Sequence, residues 1–461
     1  MSPAPPPPEL SGLAAAQEAL ASGAHDARSL TELALRRAEQ IAPLHAFTAV
    51  QTDTALMRAA ALDAAGTPPG QRGPLWGVPV VLKDNVAQAG VANRAGSRVL
   101  PDVPEHADAL VTARLEAAGA VIIGRTNMHE LAWGGTTDNP HHGACRNPWD
   151  LERISAGSSG GTASAVAAGA VPLGVGTDTG GSVRLPSAVT NLTGLRPSIG
   201  RISTEGVVTL SWTLDTVGPM ARSARDARAM FDLLADRPAP PRPHPPAALP
   251  GLVVGVLADY TFEAVQPGVA EATRRMLDTL RAEGAVVREV GLPDLDLMVD
   301  ALIVVDAVEP SAIYGGLARE RPALLGADVR AQLLAGLEFS AVDYVQAQRF
   351  RTHLSRHLAG VWEKVDLLLM PTLPFTAPRV GQRTVRLGER DVDNLRANVR
   401  FTSLPSLTGT PALSLPAGFD GDGLPIGVQL VAASGRDEWL LDVAIDLQDI
   451  TDHHRHQSAV I

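Results

Sequence analysis

Short runs built almost wholly of apolar residues alternate along this chain with longer segments whose apolar residues recur at helical spacing, and few folds satisfy that rhythm. Val78–Leu82 reads as a buried strand. Asp108 is placed to cap a helix that carries Val111, Leu115 and Ala118 on one face; Gly119 ends it, and Ala120–Ile123 returns as a second strand. A small-residue helix over Thr162–Ala170 and a strand over Val171–Val175 follow, the strand running into the loop Gly176–Gly181. Another strand–helix–strand unit spans Leu252–Leu257, Val269–Glu283 and Ala285–Val290. Nearer the start, Ser29-Leu30-Thr31-Glu32 has the form of a capping box that opens a helix through Gln40. Repeated β-α-β units predict a sheet covered by helices.

The 461 residues are 45% hydrophobic, enough for a large core, but only 4% aromatic, so that core is built mainly from Ala, Val and Leu. Fifty acidic against 39 basic side chains give a net charge of −11 with no basic stripe for a phosphate backbone, so nucleic acid is not the expected partner. A lone cysteine, Cys145, cannot form an internal disulfide. No segment reaches the ~18 uninterrupted apolar residues of a membrane helix, and the expected setting is cytoplasmic, with no membrane partner. Residues 1–10, rich in proline, are expected to be disordered and residues 451–461 to form a solvated tail. Between them, 11–450 reads as one domain in which the proline-rich stretch 237–250 is a stiff surface loop.

Two serine- and glycine-rich turns stand out: Ser155-Ala-Gly-Ser158-Ser159-Gly-Gly-Thr162, and Gly176-Thr-Asp178-Thr179-Gly180-Gly181-Ser182-Val-Arg184. Gly180 and Gly181 let backbone N–H groups approach a ligand unobstructed, and Ser182 falls where a helix over Val183–Thr190 begins, an arrangement suited to an oxyanion hole. A serine hydroxyl needs a base. Lys83 ends the apolar run 78–82, so its stem lies in the sheet and its amine reaches the sheet edge. Burial there disfavours the ammonium form; lowering its pKa from ~10.4 to ~7–8 takes about 3–5 kcal/mol, and a lysine so treated can serve as a general base.

These residues resemble the amidase signature hydrolases. The resemblance rests on Gly77-Val-Pro-Val-Val-Leu-Lys83-Asp-Asn85, Ala156-Gly-Ser158-Ser-Gly-Gly161, Gly176-Thr-Asp-Thr-Gly-Gly-Ser182-Val-Arg184 and Gly194-Leu-Arg-Pro197, and continues through Leu214-Asp-Thr-Val-Gly-Pro219, Met370-Pro-Thr372, Gly409-Thr-Pro411 and Gly423-Leu-Pro425. It implies a single-domain α/β/α sandwich with a large mixed sheet. It also implies Ser182 as nucleophile, Ser158 as a bridging serine after a non-proline cis peptide, and Lys83 as base and then acid. Backbone N–H groups of Thr179, Gly180, Gly181 and Ser182 would hold the oxyanion, with Ser159, Asp178 and Arg184 in support. Two departures, Ser406 where the family usually has asparagine and Thr162 where it often has serine or alanine, bear on substrate preference rather than on chemistry.

Other features read more plainly. Asp178 and Arg184 are expected to pair and brace the loop. Gly157-Ser-Ser159-Gly-Gly161 matches a nucleophile elbow at Ser159, but that motif needs a preceding strand, and residues 147–153 read as a loop. Cys145 beside His141 and His142 reads as a small buried residue, and Asp452-His-His-Arg-His456 as part of the tail, so no metal or organic cofactor is implied.

The expected reaction is cleavage of a small-molecule amide to an acid plus ammonia or an amine through a Ser182 acyl-enzyme. Candidate pocket segments are residues 128–139, with Met128 and Trp133, and 301–344. A homodimer stays open. Two rivals stand beside this reading: the A subunit of a tRNA-dependent amidotransferase, which carries the same motifs, and a non-catalytic binding protein on the same scaffold.

Overall fold

Eleven strands join in one sheet in the computed structural model, which describes residues 6–236 and 248–458. In chain order they are β1 (Phe47–Val50), β2 (Pro79–Lys83), β3 (Val121–Thr126), β4 (Leu173–Asp178), β5 (Thr193–Arg196), β6 (Thr216–Ala221), β7 (Val253–Val256), β8 (Val286–Glu289), β9 (Leu367–Pro371), β10 (Ala412–Phe419) and β11 (Pro425–Ala432). Across the sheet they lie β1-β3-β2-β4-β6-β5-β10-β11-β9-β7-β8. β2 runs parallel to β3 and β4, and β7 parallel to β8 and β9, while the centre from β4 to β9 is antiparallel. Parallel neighbours need a crossover. Helices Leu110–Ala117, Gly160–Ala167 and Pro267–Ala282 supply three of them, which are the β-α-β units of the sequence with ends shifted by a few residues.

β2, β3 and β4 are buried along their whole length, which is why they read as continuous apolar runs. Side chains of a strand alternate between faces. Leu367 and Leu369 of β9 accordingly join the core beneath helices Ala27–Gln40, Gly160–Ala167, Ala224–Leu234 and Asp437–Asp449, whereas Leu368 and Met370 join the core beneath Met298–Glu320 and Ala341–Val361. The result is an α/β/α sandwich. Small residues set its spacing: a Cβ on Gly174 of β4 would lie 2.4 Å from Thr162 Cγ2, so helix Gly160–Ala167, buried at every position, sits directly on the strand.

Several local expectations change. The first long helix is capped by Asp26 rather than Ser29, because the Asp26 carboxylate accepts from the Ser29 N–H and Ser29 Oγ accepts in return from the Asp26 N–H. Asp108 does not cap its helix; its Oδ1 accepts from the Ala89 N–H at 2.7 Å. The expected disorder of residues 1–10 does not extend to Pro8–Leu10, a 3-10 turn whose Leu10 is fully buried against the core. Nor are residues 453–456 free: Asn191 Nδ2 donates to the carbonyls of His453 and His456, so the tail is docked. Within 237–250, residues 237–247 lie outside the described residues. Among those described, no helix is long and apolar enough to cross a membrane.

Candidate active site

Three chain segments meet at the end of β2 and β4. Lys83, the last residue of β2, is completely buried; its Nζ lies 2.8 Å from Ser158 Oγ and 2.8 Å from Thr177 Oγ1. Asn85 Nδ2 donates to the same Thr177 hydroxyl at 3.1 Å. Burial pushes the Lys83 amine down to about 7, against the opposing pull of Asp215 and Asp178.

The first serine turn enters through a cis peptide between Gly157 and Ser158. It is held to the second by the Ser159 N–H, which donates to the Ser182 carbonyl at 3.2 Å, and Ser159 Oγ bonds both the N–H and the carbonyl of Thr177. Ser159 is therefore buried and fully engaged, which leaves it no role as a nucleophile. The strand that an elbow needs is nonetheless partly present: residues read as a loop form a small hairpin of Arg146–Asn147 and Asp150–Ile154.

Ser182 Oγ has no hydrogen-bond partner among the described residues, and Ser182 lines a cavity of about 280 Å³. The N–H groups of Gly180, Gly181 and Ser182 likewise have no acceptor among the described residues, and Thr179 and Gly180 share the cavity wall. Gly181 is required here: its φ is +140°, and a Cβ would fall 2.7 Å from Thr402 Oγ1. Asp178 organises the turn from beneath. Its carboxylate takes a two-pronged bond from Arg184 (Nη2 to Oδ1 2.9 Å, Nε to Oδ2 3.0 Å), a bond from Arg196 Nη1 (3.0 Å) and the N–H of Val183. Burial pushes this carboxyl up, but the two guanidinium groups outweigh it and hold it well below the usual carboxylate range. The expected Asp178–Arg184 pair is present, enlarged by Arg196.

The rest of the cavity wall comes from residues 132–135, Gly157, Leu185, Leu210, Leu395, Val399 and parts of 302–307 and 332–339. Of the two pocket candidates Trp133 lines the cavity and Met128 does not: it is buried among Ala95, Val99 and Leu131, and its carbonyl accepts from Asn139 Nδ2. The two departures from the family pattern are packing positions. Ser406 Oγ accepts from Arg184 Nη2 at 2.9 Å, and Thr162 Oγ1 bonds Thr126 Oγ1 at 2.6 Å, both away from the cavity. Cys145 is inert, its thiol pushed up to about 11 by burial. No cluster of metal-ligating side chains occurs among the described residues.

With this geometry, comparison with known proteins is direct. The model of the family described as Amidase matches residues 29–441. The chain belongs to the amidase family. This amidase is 35% identical to the A subunit of the glutamyl-tRNA(Gln) amidotransferase of Pseudomonas syringae pv. tomato over 478 residues, covering 96% of this chain and 98% of the relative. Among solved structures it is similar to one described as an amidase, with TM-score 0.89, 36% identity, 95% of this chain and 99% of the other. It also resembles the native peptide amidase of Stenotrophomonas maltophilia, with TM-score 0.82, 26% identity and 98% of each chain.

Thr177 escaped the sequence reading although it stands inside a quoted motif, because only the parallel pairing of β2 and β4 brings its hydroxyl to Lys83. Thr177→Val keeps the shape and removes the acceptor shared by Lys83 and Asn85. It should lower kcat/KM by about 10- to 100-fold and move the acid limb of the pH profile; an unchanged profile would assign Thr177 to packing alone.

Proposed function

We propose that this amidase hydrolyses small-molecule carboxamides by two-step acyl transfer, with Ser182 as nucleophile, Lys83 as base and then acid, and Ser158 relaying the proton. The observation that carries this reading is the buried Lys83 amine, its proton affinity depressed, 2.8 Å from Ser158 Oγ in a turn that the Ser159 N–H ties to the Ser182 carbonyl. Ser182 donates its proton to Ser158 as Ser158 gives its own to Lys83, and Ser182 Oγ bonds to the carbonyl carbon. Charge moves onto the carbonyl oxygen, where the N–H groups of Thr179, Gly180, Gly181 and Ser182 receive it. Lys83 returns the proton through Ser158 to the leaving nitrogen as the C–N bond breaks. Water then attacks the acyl-enzyme by the same route and releases the acid. In this reading residues 11–450 form one catalytic domain acting in the cytoplasm, as monomer or homodimer, without nucleic acid or membrane.

The relatives named as amidotransferase A subunits favour a second reading, glutamine hydrolysis within a complex. Cavity chemistry argues against it. Free glutamine brings an α-carboxylate, and no Lys or Arg is among the described residues that line this cavity; burying an unpaired carboxylate costs several kcal/mol. The isolated chain should therefore release ammonia from apolar primary amides in preference to glutamine. On such amides kcat/KM should rise with pH and level off above about 7, because only the deprotonated Lys83 accepts the Ser158 proton. Glutamine turnover that appears only with added partner subunits would reverse the choice, and a pH profile flat down to pH 5 would remove Lys83 as base.

A further inference from the structure

One group in the cavity wall does not match its neighbours. Asp306, on helix Met298–Glu320, lies among Leu302, Ile303, Ala307, Leu210 and Phe339. Its Oδ1 is closed to solvent and has no hydrogen-bond partner among the described residues. Two other carboxyl groups lie on the same side, and both are provided for. Asp215 accepts from Thr179 Oγ1 and from the N–H groups of Leu210 and Ser211, and Glu309 accepts from Ser211 Oγ, Thr213 Oγ1 and Tyr344 OH. Burial first, then Asp215 and Glu309, raise the Asp306 carboxyl well above its ordinary range, with the Trp133 indole pulling the other way. The Trp133 indole donates to this carboxyl, so it is Oδ1 alone that the fold leaves without a partner.

We propose that Asp306 is the recognition group for a cationic end of the substrate, so that the preferred amides carry an ammonium group that meets Asp306 while the scissile carbonyl sits at Ser182. The inference rests on Ser182 being the nucleophile. Charge favours a cation over a neutral donor. Asp306 is the carboxyl in the cavity wall, Asp215 and Glu309 lie close enough behind it to act on its charge, and no Lys or Arg is among the described residues that line the cavity, so an ammonium there meets a negative field and restores the ionised form of Asp306. A neutral N–H would satisfy Oδ1 alone. The same field repels substrates that end in a carboxylate.

The test uses the intact chain and a series of primary ω-ammonio alkanamides of increasing length, each paired with the isostere that ends in methyl. Ammonia release is measured with Ser182→Ala as the blank. The readout is the ratio of kcat/KM within each pair, which cancels any loss of folded enzyme. The wild type should prefer the ammonium member by tenfold or more at one chain length at least. Asp306→Leu should abolish or invert that preference, and Asp306→Asn, which keeps the shape and loses the charge, should remove most of it. Preference for the methyl member at every length, or a preference that survives Asp306→Leu, overturns the assignment while leaving the amidase mechanism standing. Absence of Ser182-dependent release from every member overturns the mechanism, and the assignment with it.

Discussion

Ser182→Ala should lower kcat for amide hydrolysis by about 10⁴-fold or more while the protein stays folded. Folding should survive because the hydroxyl removed has no hydrogen-bond partner among the described residues, and Ser182 keeps only its backbone roles in the turn. Lys83→Met should cost a similar factor, since Ser158 and Ser182 then have no base. The pair acts as one device, so the double variant should be no slower than either single one, within a few-fold. Stability distinguishes the two. Lys83 binds its proton less tightly when folded, near 7 against an ordinary value of 10.5, so the folded state carries fewer protons than the unfolded chain between those pH values and wild-type stability rises with pH across that window. Below about 7 the full penalty applies, roughly 4–5 kcal/mol. Lys83→Met escapes it and should melt no lower than wild type at pH 6. Steady-state ammonia release with thermal unfolding by circular dichroism checks both halves. Near-wild-type turnover by either single variant would sink the mechanism.

What could be read in advance and what could not divides along a physical line. β2, β3 and β4 were legible because strands buried on both faces leave an uninterrupted apolar record. Lys83, Ser158 and Ser182 could be picked out because Lys83 ends an uninterrupted apolar run and the two serines stand in turns dense in glycine, where backbone demands narrow the choice of residue. Thr177, Arg196 and Asp306 were not. Thr177 matters only through the β2–β4 pairing, and Arg196 only because β5 carries it to Asp178 across a span that no local pattern measures. Asp306 sits in a helix that carries core, cavity and solvent-exposed residues, and a single carboxyl in such a stretch is indistinguishable from a solvated one until the opposing wall is in place. Met128 failed in the opposite direction: it is adjacent in sequence to cavity residues but turned into the core beside Leu131.

Asp178→Ala should destabilise the fold by about 3–5 kcal/mol, the largest stability loss expected of any single change in the site. Asp178, Arg184 and Arg196 are all fully buried, so the mutation strands two guanidinium groups that no solvent reaches. Arg184 retains Ser406 Oγ, Gln429 Oε1 and the Thr402 carbonyl, and Arg196 retains the carbonyls of Thr179 and Leu214, but these are dipoles in place of a countercharge. Asp178→Asn, isosteric but uncharged, should fall between. Because the native carboxyl lies well below its ordinary value of 3.8, its contribution is fully present above about pH 4 and is lost only as pH falls through the lower folded value, so the deficit of the variant should be constant from pH 5 to 8. Function should follow geometry. Asp178 also accepts the N–H of Val183, next to the turn whose Gly180, Gly181 and Ser182 N–H groups have no acceptor among the described residues. Any folded fraction of Asp178→Asn should thus lose kcat more than it raises KM, the mark of weakened transition-state contacts. Urea denaturation at pH 7 reads the first effect and steady-state kinetics the second. A loss under about 1 kcal/mol, no more than an ordinary hydrogen bond contributes, would mean that the two arginines find adequate partners without Asp178, and that the Ser182 turn is held by its glycines and by Thr402 instead.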